Sequence, residues 1–267
     1  MSTQKITSME VAKLAGVSQS AVSRVFTPGA SSSKKTNELV RKAAAELGYR
    51  PNVLARSLIT GKSRMIGLVV AYLDNYFYPE ALELLSSALQ KKGYHVLIFM
   101  SGNKEGDIAD AVDEILDYQV DGIIAASVSM SSDLAKRCTS AGVPVVLFNR
   151  TQDDDRLSAV TSDNFQGGQK VARFLLAGGH KRIGYIAGWE GASTQRDREK
   201  GFTEELVRNG QELYAREVGN FNSDEARQAA RTMFSKQNFP DAVFVANDAM
   251  AIAVIDVIRF ELGLKVP

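Results

Sequence analysis

The sequence predicts an α/β protein: three small N-terminal helices, a short connecting helix, and two lobes of doubly wound parallel sheet in series. Three observations point there. Apolar residues recur at helical spacing as far as Gly48. Beyond Arg64, near-continuous apolar runs alternate with amphipathic stretches. The charge also changes sign between the two regions: residues 1–64 hold eleven basic and three acidic side chains (+8), and the remaining 21 basic and 28 acidic give −7, for a net charge of +1. A basic module for a polyanion joined to an acidic body is the arrangement this asymmetry predicts.

In the basic region, Thr7 with Glu10 three positions on reads as a capping box opening a helix through Met9, Val11, Ala12 and Leu14, which Gly16 breaks. Ser18 caps a second helix with Val22, Val25 and Phe26 on one face, ended by Pro28-Gly29. A third carries Val40, Ala43, Ala44 and Leu47 and stops at Gly48. The small Ala12 where helices cross and the turn at Gly16 are the requirements of a helix-turn-helix. Gln19, Ser20 and Arg24 then project outward. Glutamine pairs with adenine and arginine with guanine in the major groove, and Ser18 and Ser23 suit phosphates.

Ile66–Ala71, His95–Phe99, Gly122–Ala125 and Val143–Phe148 read as buried parallel strands. A second series is expected to open with Ser158–Thr161 and to continue with Ile183–Ala187 and Ala242–Ala246. Helices at 80–92, 107–118, 132–141, 166–176, 195–209, 223–235 and 249–262 cover the sheets. Right-handed crossovers place any ligand at the carboxyl ends of the strands.

The segment Val11–Val25, the run Glu46-Leu47-Gly48-Tyr49-Arg50-Pro51-Asn52, the strand opening Ile66-Gly67-Leu68, and later Asp121-Gly122-Ile123-Ile124, Gly142-Val143-Pro144-Val145-Val146, Gly179-His180-Lys181-Arg182-Ile183-Gly184 and Asn247-Asp248 closely resemble the LacI/GalR family of bacterial transcriptional regulators. The resemblance runs along the whole chain. It implies a helix-turn-helix headpiece (1–49), a hinge helix and linker (50–62), and a periplasmic-binding-protein-like core with a first lobe (63–158) and a second (159–267). It also implies a homodimeric repressor that binds palindromic double-stranded operator DNA and answers to a small-molecule effector between the lobes.

The DNA-binding set is then Thr7, Ser18, Gln19, Ser20, Ser23 and Arg24, joined by Asn52, Ala55 and Leu58 of the hinge. A segment this short orders only against a partner. The position matching Leu58 is an apolar wedge between base pairs in the family, consistent with minor-groove kinking. The effector set is Phe77, Tyr78, Asn149, Arg150, Arg198, Phe221 and Asn247, each readable as a ligand contact or as local structure, with a sugar or sugar derivative as the expected ligand. Asp248 reads chiefly as a helix cap. Relative to the family pattern the sequence stops on the approach to a strand, which leaves the second lobe incomplete and lacking an acidic ligand contact.

Other chemistry finds little support. His95 and His180, the two histidines, have no Ser/Asp partners at recognisable spacing, so the sequence reads as a binding protein and not an enzyme. Asp153-Asp154-Asp155 lacks calcium-loop spacing and reads as a solvated turn rather than a metal site, and no Gly-x-Gly-x-x-Gly follows a strand; no cofactor is expected. The single cysteine, Cys138, and an N-terminus without an apolar signal region favour the cytoplasm, and the longest apolar run is too short to span a membrane.

Overall fold

A computed structural model describes residues 6–27, 29–51, 61–71, 73, 75–101, 105–128, 130–152, 157–235 and 237–267. Asn52, Ala55 and Leu58, together with Pro28 and the Asp153–Asp155 run, lie outside the described residues. The chain divides into two compact units between Ser63 and Arg64.

The first unit holds α1 (Ser8–Ala15), α2 (Gln19–Phe26) and α3 (Lys34–Leu47). The capping box forms as expected: the Thr7 N–H donates to Glu10 Oε2 at 2.7 Å and the Glu10 N–H to Thr7 Oγ1 at 3.4 Å. The Thr7 N–H and, at 2.9 Å, the Thr7 hydroxyl both donate to the Glu10 carboxyl, favour its ionised form and hold Glu10 below its ordinary value. Gly16 closes α1 in the left-handed region at φ 66°, where a Cβ is penalised, and Ser18 accepts the Ala21 N–H to start α2. Val11, Ala12, Val22, Val25, Val40, Ala43 and Ala44 form the shared core.

The second unit is α/β throughout. Its first sheet comprises β1 (Met65–Val70), β2 (His95–Met100), β3 (Gly122–Ala126), β4 (Val145–Phe148) and β5 (Ser158–Val160), in the order β2-β1-β3-β4-β5 and all parallel. Helices α4 (Phe77–Lys91), α5 (Glu105–Asp117) and α6 (Ser132–Ser140) connect the first four strands. The second sheet comprises β6 (Ile183–Ala187), β7 (Ala215–Val218) and β8 (Ala242–Val245), in the order β7-β6-β8 and again parallel. It is covered by α7 (Asn164–Ala177), α8 (Ser193–Arg208), α9 (Ser223–Phe234) and α10 (Asp248–Asp256), the last passing into a π-helical turn at Val257–Glu261.

Three sequence expectations need correction. The strand at Ser158–Thr161 does not open the second lobe: Ala159 pairs with Leu147, which makes β5 the outer strand of the first sheet. Its short, exposed edge position explains the misreading, since an edge strand needs no continuous apolar run. The run at 95–99 is not a buried strand either, because β2 is the opposite edge and leaves Ile98 and Met100 half exposed. Finally, β7 went unseen because Ala215-Arg216-Glu217-Val218 presents polar residues where a central strand would be apolar.

Both sheets are clamped at their amino edge by an aspartate just ahead of a strand. Asp121 Oδ2 accepts the Arg64 N–H at 3.1 Å, fixing the start of β1 beside β3. Asp241 accepts the N–H groups of Lys181 at 3.3 Å and Arg182 at 3.2 Å, fixing the start of β6 beside β8. These donors outweigh the partial burial of Asp241 and leave its carboxyl below the usual range.

The tightest packing in the second lobe is the crossing of α7 and α8. A Cβ on Gly168 would lie 2.1 Å from the Arg198 carbonyl oxygen, and one on Gly201 would lie 2.0 Å from the Phe165 carbonyl oxygen. The two backbones therefore touch at reciprocal glycines. Beside the crossing, Arg173 of α7 forks onto the buried Glu205 of α8 at 2.9 and 3.1 Å, with Arg208 at 2.7 Å, and Arg173 holds the Glu205 carboxyl below the usual range. Gly201→Ala is expected to destabilise the core by about 1–3 kcal/mol or more, because the obstacle is backbone and cannot rotate away. Gly167→Ala, whose added methyl meets nothing within 4 Å, is expected to be neutral or slightly stabilising. Thermal unfolding of the two variants side by side measures the difference.

Candidate functional site

Two surfaces collect the candidate residues, one in each unit. In the first, Gln19, Ser20, Ser23 and Arg24 are all exposed on α2 while Val22 and Val25 are buried, so the outward face expected from the sequence is present. The polar side chains on it are partly engaged with one another. Ser18 Oγ, which accepts the Ala21 N–H at 3.3 Å, also bonds Ser20 Oγ at 3.0 Å, and Gln19 Nε2 donates to Ser8 Oγ at 2.9 Å. Thr7 spends both its N–H and its hydroxyl on Glu10. Ser18 and Thr7 therefore serve first as helix caps.

In the second unit the candidates leave the carboxyl ends of strands, as parallel topology requires. Phe77 and Tyr78 start α4 beyond β1; Asn149 and Arg150 follow β4; Phe221 follows β7; Asn247 follows β8. They form three groups. Phe77 stacks on Phe148 with ring centroids 5.9 Å apart and meets Tyr78 edge-on at 5.2 Å. Tyr78 is only 2% exposed, and its hydroxyl accepts from Asn149 Nδ2 at 2.9 Å. Of these two rings expected to stack on a ligand, one is thus buried as packing and the other has a face covered by Phe148.

The second group joins the lobes. Arg150, 2% exposed, donates to Thr194 Oγ1 and lies 5.6 Å over the Phe221 ring, a cation–π contact. Next to it the Thr151 N–H donates to Ser193 Oγ at 2.8 Å. Phe221 is held in the left-handed region at φ 58°, uncommon for a bulky residue, with its ring against Gly188: a Cβ there would fall 2.1 Å from Phe221 Cε1. Gln195 fixes the same loop by accepting the Gly188 N–H at 2.7 Å and the Tyr185 hydroxyl at 2.9 Å; burial pushes the Tyr185 pKa up to about 12.

In the third group Arg198 donates to the Ala246 carbonyl and, at 2.6 Å, to Asn164 Oδ1. Asn164 is oriented by donating to the Ser162 carbonyl at 2.9 Å. The adjacent Asn247 accepts the Met250 N–H at 2.9 Å, so it is the cap of α10 and Asp248 is the first helical residue, the reverse of the assignment read from sequence. An asparagine outcompetes an aspartate here because the chain turns one residue earlier than the acidic signal suggests. The sequence reading also missed Ser193, Thr194 and Asn164, whose partners lie 42, 44 and 34 residues away and carry no local signature. Among the described residues, no group of three His, Cys, Asp or Glu is placed to hold a metal ion, and no helix is long and apolar enough to cross a membrane.

A helix-turn-helix unit followed by a two-lobed α/β unit, with polar and aromatic side chains gathered where the lobes meet, defines a ligand-responsive DNA-binding regulator. Family comparison agrees: residues 7–52 match the bacterial regulatory proteins of the lacI family and residues 66–261 the periplasmic binding protein domain. The chain belongs to the lacI family. It is 30% identical over 263 residues to the HTH-type transcriptional repressor PurR of Pasteurella multocida (strain Pm70), covering 97% of this chain and 78% of that protein. Its fold matches the lac repressor dimer bound to operator and the anti-inducer ONPF with a TM-score of 0.87 at 28% identity, over 98% of this chain and 80% of the repressor. It matches the transcriptional regulator CelR–cellobiose complex with a TM-score of 0.69 at 29% identity, again over 98% and 80%. The protein is a DNA-binding transcriptional regulator of this family.

Arg24 sits on the exposed face of α2 at its last turn, clear of the bonds that occupy Ser18, Ser20 and Gln19. Arg24→Ala is expected to cost on the order of 1–3 kcal/mol on the preferred operator and much less on random DNA. Titration of both DNAs decides; equal losses would make Arg24 a phosphate contact.

Proposed function

We propose that this protein is a cytoplasmic repressor without catalytic activity, whose headpiece (1–49) reads a palindromic operator and whose two lobes close on a sugar or sugar derivative. The observation that supports this best is the junction at Arg150: one guanidinium from the first lobe touches Thr194 and Phe221 of the second, so lobe position and ligand occupancy act on the same side chains. Arg150, Arg198, Asn149 and Asn247 supply polar contacts for hydroxyls, and Phe77 and Phe221 supply aromatic surface, with Tyr78 as packing beneath Phe77. Such sites reject analogues that leave buried polar groups unmatched. The CelR–cellobiose complex, similar in fold and sequence along the chain, favours a sugar. Binding shifts the two-state equilibrium of the lobes only through its differential affinity for the two arrangements. We infer a first lobe at 63–158, extended by β5 to Val160, with the second lobe after it.

On the DNA side, Thr7 belongs to the set as the cap that holds α1, Ser18 and Ser23 serve phosphates, Gln19, Ser20 and Arg24 serve base edges, and the hinge (50–62) brings Asn52, Ala55 and Leu58 to the minor groove. Leu58→Ala is expected to weaken operator binding while leaving circular dichroism and core melting unchanged, because the wedge acts on bent DNA. Unchanged operator affinity would remove the minor-groove role. For the effector, a thermal-shift series with cellobiose, other mono- and disaccharides, purines and amino acids is expected to give stabilisation by a sugar. Stabilisation by purines or amino acids alone would overturn the sugar assignment.

A further inference from the structure

Gln195 and Glu199 lie one turn apart on α8, and the register of β6 with β7 sets Arg216 beside Tyr185. A chain of polar contacts runs through these four. Arg216 forks onto both oxygens of Glu199 at 2.5 and 3.0 Å, and Glu199 Oε2 accepts from Gln195 Nε2 at 2.8 Å. Gln195 Oε1 in turn takes the Gly188 N–H at 2.7 Å and the Tyr185 hydroxyl at 2.9 Å. The chain starts at a guanidinium about one-third exposed and ends at a glutamine and a tyrosine that are wholly buried.

Chemistry fixes the direction of each contact. A backbone N–H only donates, so the oxygen of the Gln195 amide faces Gly188; a carboxylate only accepts, so the nitrogen faces Glu199. Turning the amide round would set N–H against N–H at one end and oxygen against a carboxylate at the other, inside a buried site. Arg216 keeps Glu199 turned toward Gln195, and its Nη2 also holds Glu190 at 2.8 Å. The segment that leaves β6 is therefore gripped twice, at Gly188 from within and at Glu190 from the surface. Much hangs on that segment. The Phe221 ring rests on Gly188, and Ser193 and Thr194 receive Thr151 and Arg150 from the first lobe.

We propose that Glu199 is a positioning residue for the cleft: braced by Arg216, it orients the Gln195 amide and so sets residues 188–194, against which the first lobe and the effector are placed. The inference rests on the reading of the lobe junction as the effector cleft.

The test exchanges the two groups within the full chain. Gln195→Glu keeps an oxygen for Gly188 and Tyr185 but turns a second carboxylate on Glu199, so the pair must share a proton. Arg216, Arg198 and, through Arg216, Glu190 are the other charges around it. A pKa raised in the folded state carries stability that is present in acid and lost as pH rises. Gln195→Glu is therefore expected to melt within about a degree of the unaltered protein near pH ~5 and several degrees below it near pH ~8. Adding Glu199→Gln turns the pair round, the new amide donating to the new carboxylate, and is expected to remove that dependence. Trp189, the only tryptophan in the chain and next to Gly188, reports the segment through quenching by acrylamide. Quenching is expected to rise in Gln195→Glu at the higher pH and to return to its original level in the double variant. Cellobiose, used as the probe, is expected to bind roughly tenfold more weakly where quenching rises. Glu199→Gln alone buries no new carboxyl; its oxygen goes to Arg216 and its N–H to Gln195, favouring the reversed amide, so quenching is expected to rise at both pH values. Unchanged quenching in that variant overturns the proposal. So does a pH dependence that survives in the double variant, which would come from burying a carboxyl alone, or equal cellobiose affinity in every variant. If Trp189 follows the expected pattern while cellobiose leaves the unaltered protein unaffected, the positioning by Glu199 stands and the sugar reading fails.

Discussion

Every strand in both sheets runs parallel to its neighbours, and this single constraint decides where the second unit can act. In a right-handed βαβ series the chain leaves each strand at the same edge and returns through a helix to the other. Loops that leave carboxyl ends therefore converge although they are distant in sequence. Asn149, Gly188, Phe221 and Asn247 come from four such exits. What distinguishes this protein within that general rule is how the exits are tied: Arg150 and Thr151 of one lobe onto Thr194 and Ser193 of the other, and Arg198 between the start of α7 and the end of β8.

The crossing at Gly168 and Gly201 carries the same logic into the second lobe. Arg198 stands on the turn of α8 whose carbonyl rests against Gly168, and its partner Asn164 begins the helix on the other side. Because the helices meet backbone to backbone, their spacing is set by covalent geometry rather than by side chains that can repack. A guanidinium held by one side-chain oxygen and one backbone carbonyl needs that kind of fixed reference, since both bonds weaken as their distance and alignment are lost.

How much of this could be read from the sequence depended on how local each signal was. The headpiece was legible almost residue by residue, because capping boxes, left-handed glycines and helical spacing are written within four or five positions: Thr7 with Glu10, Gly16, Ser18, Gly48. Central strands were legible for the same reason, their burial on both faces making them apolar throughout. Edge strands were legible unevenly: β2 and β8 were apolar enough to be expected, β5 was placed in the wrong series and β7 was missed. The segment Ala215-Arg216-Glu217-Val218 is half polar because one of its sides has no neighbouring strand, and Ser158-Ala159-Val160 is too short to announce which sheet it will join. The cleft was legible only through resemblance. Nothing near Ser193 or Asn164 in sequence marks them as partners of a threonine amide and an arginine, and the Tyr78 hydroxyl finds its partner in Asn149, seventy-one positions away.

The aspartates at the amino edges, Asp121 in one lobe and Asp241 in the other, divide the labour of each sheet in space. Register is settled at the edge where strands begin, by carboxylates gripping backbone N–H groups whose identity does not depend on the side chains that follow. At the opposite edge the ladder is continued by backbone bonds alone, such as Ser101 N–H to Val70 and Ala246 N–H to Ile186, which do not depend on side-chain identity. Residues there are free to change with the ligand, over evolutionary time or at the bench, without the strands sliding. A scaffold anchored at one rim and variable at the other is one that can be re-addressed to new signals while its architecture stays the same.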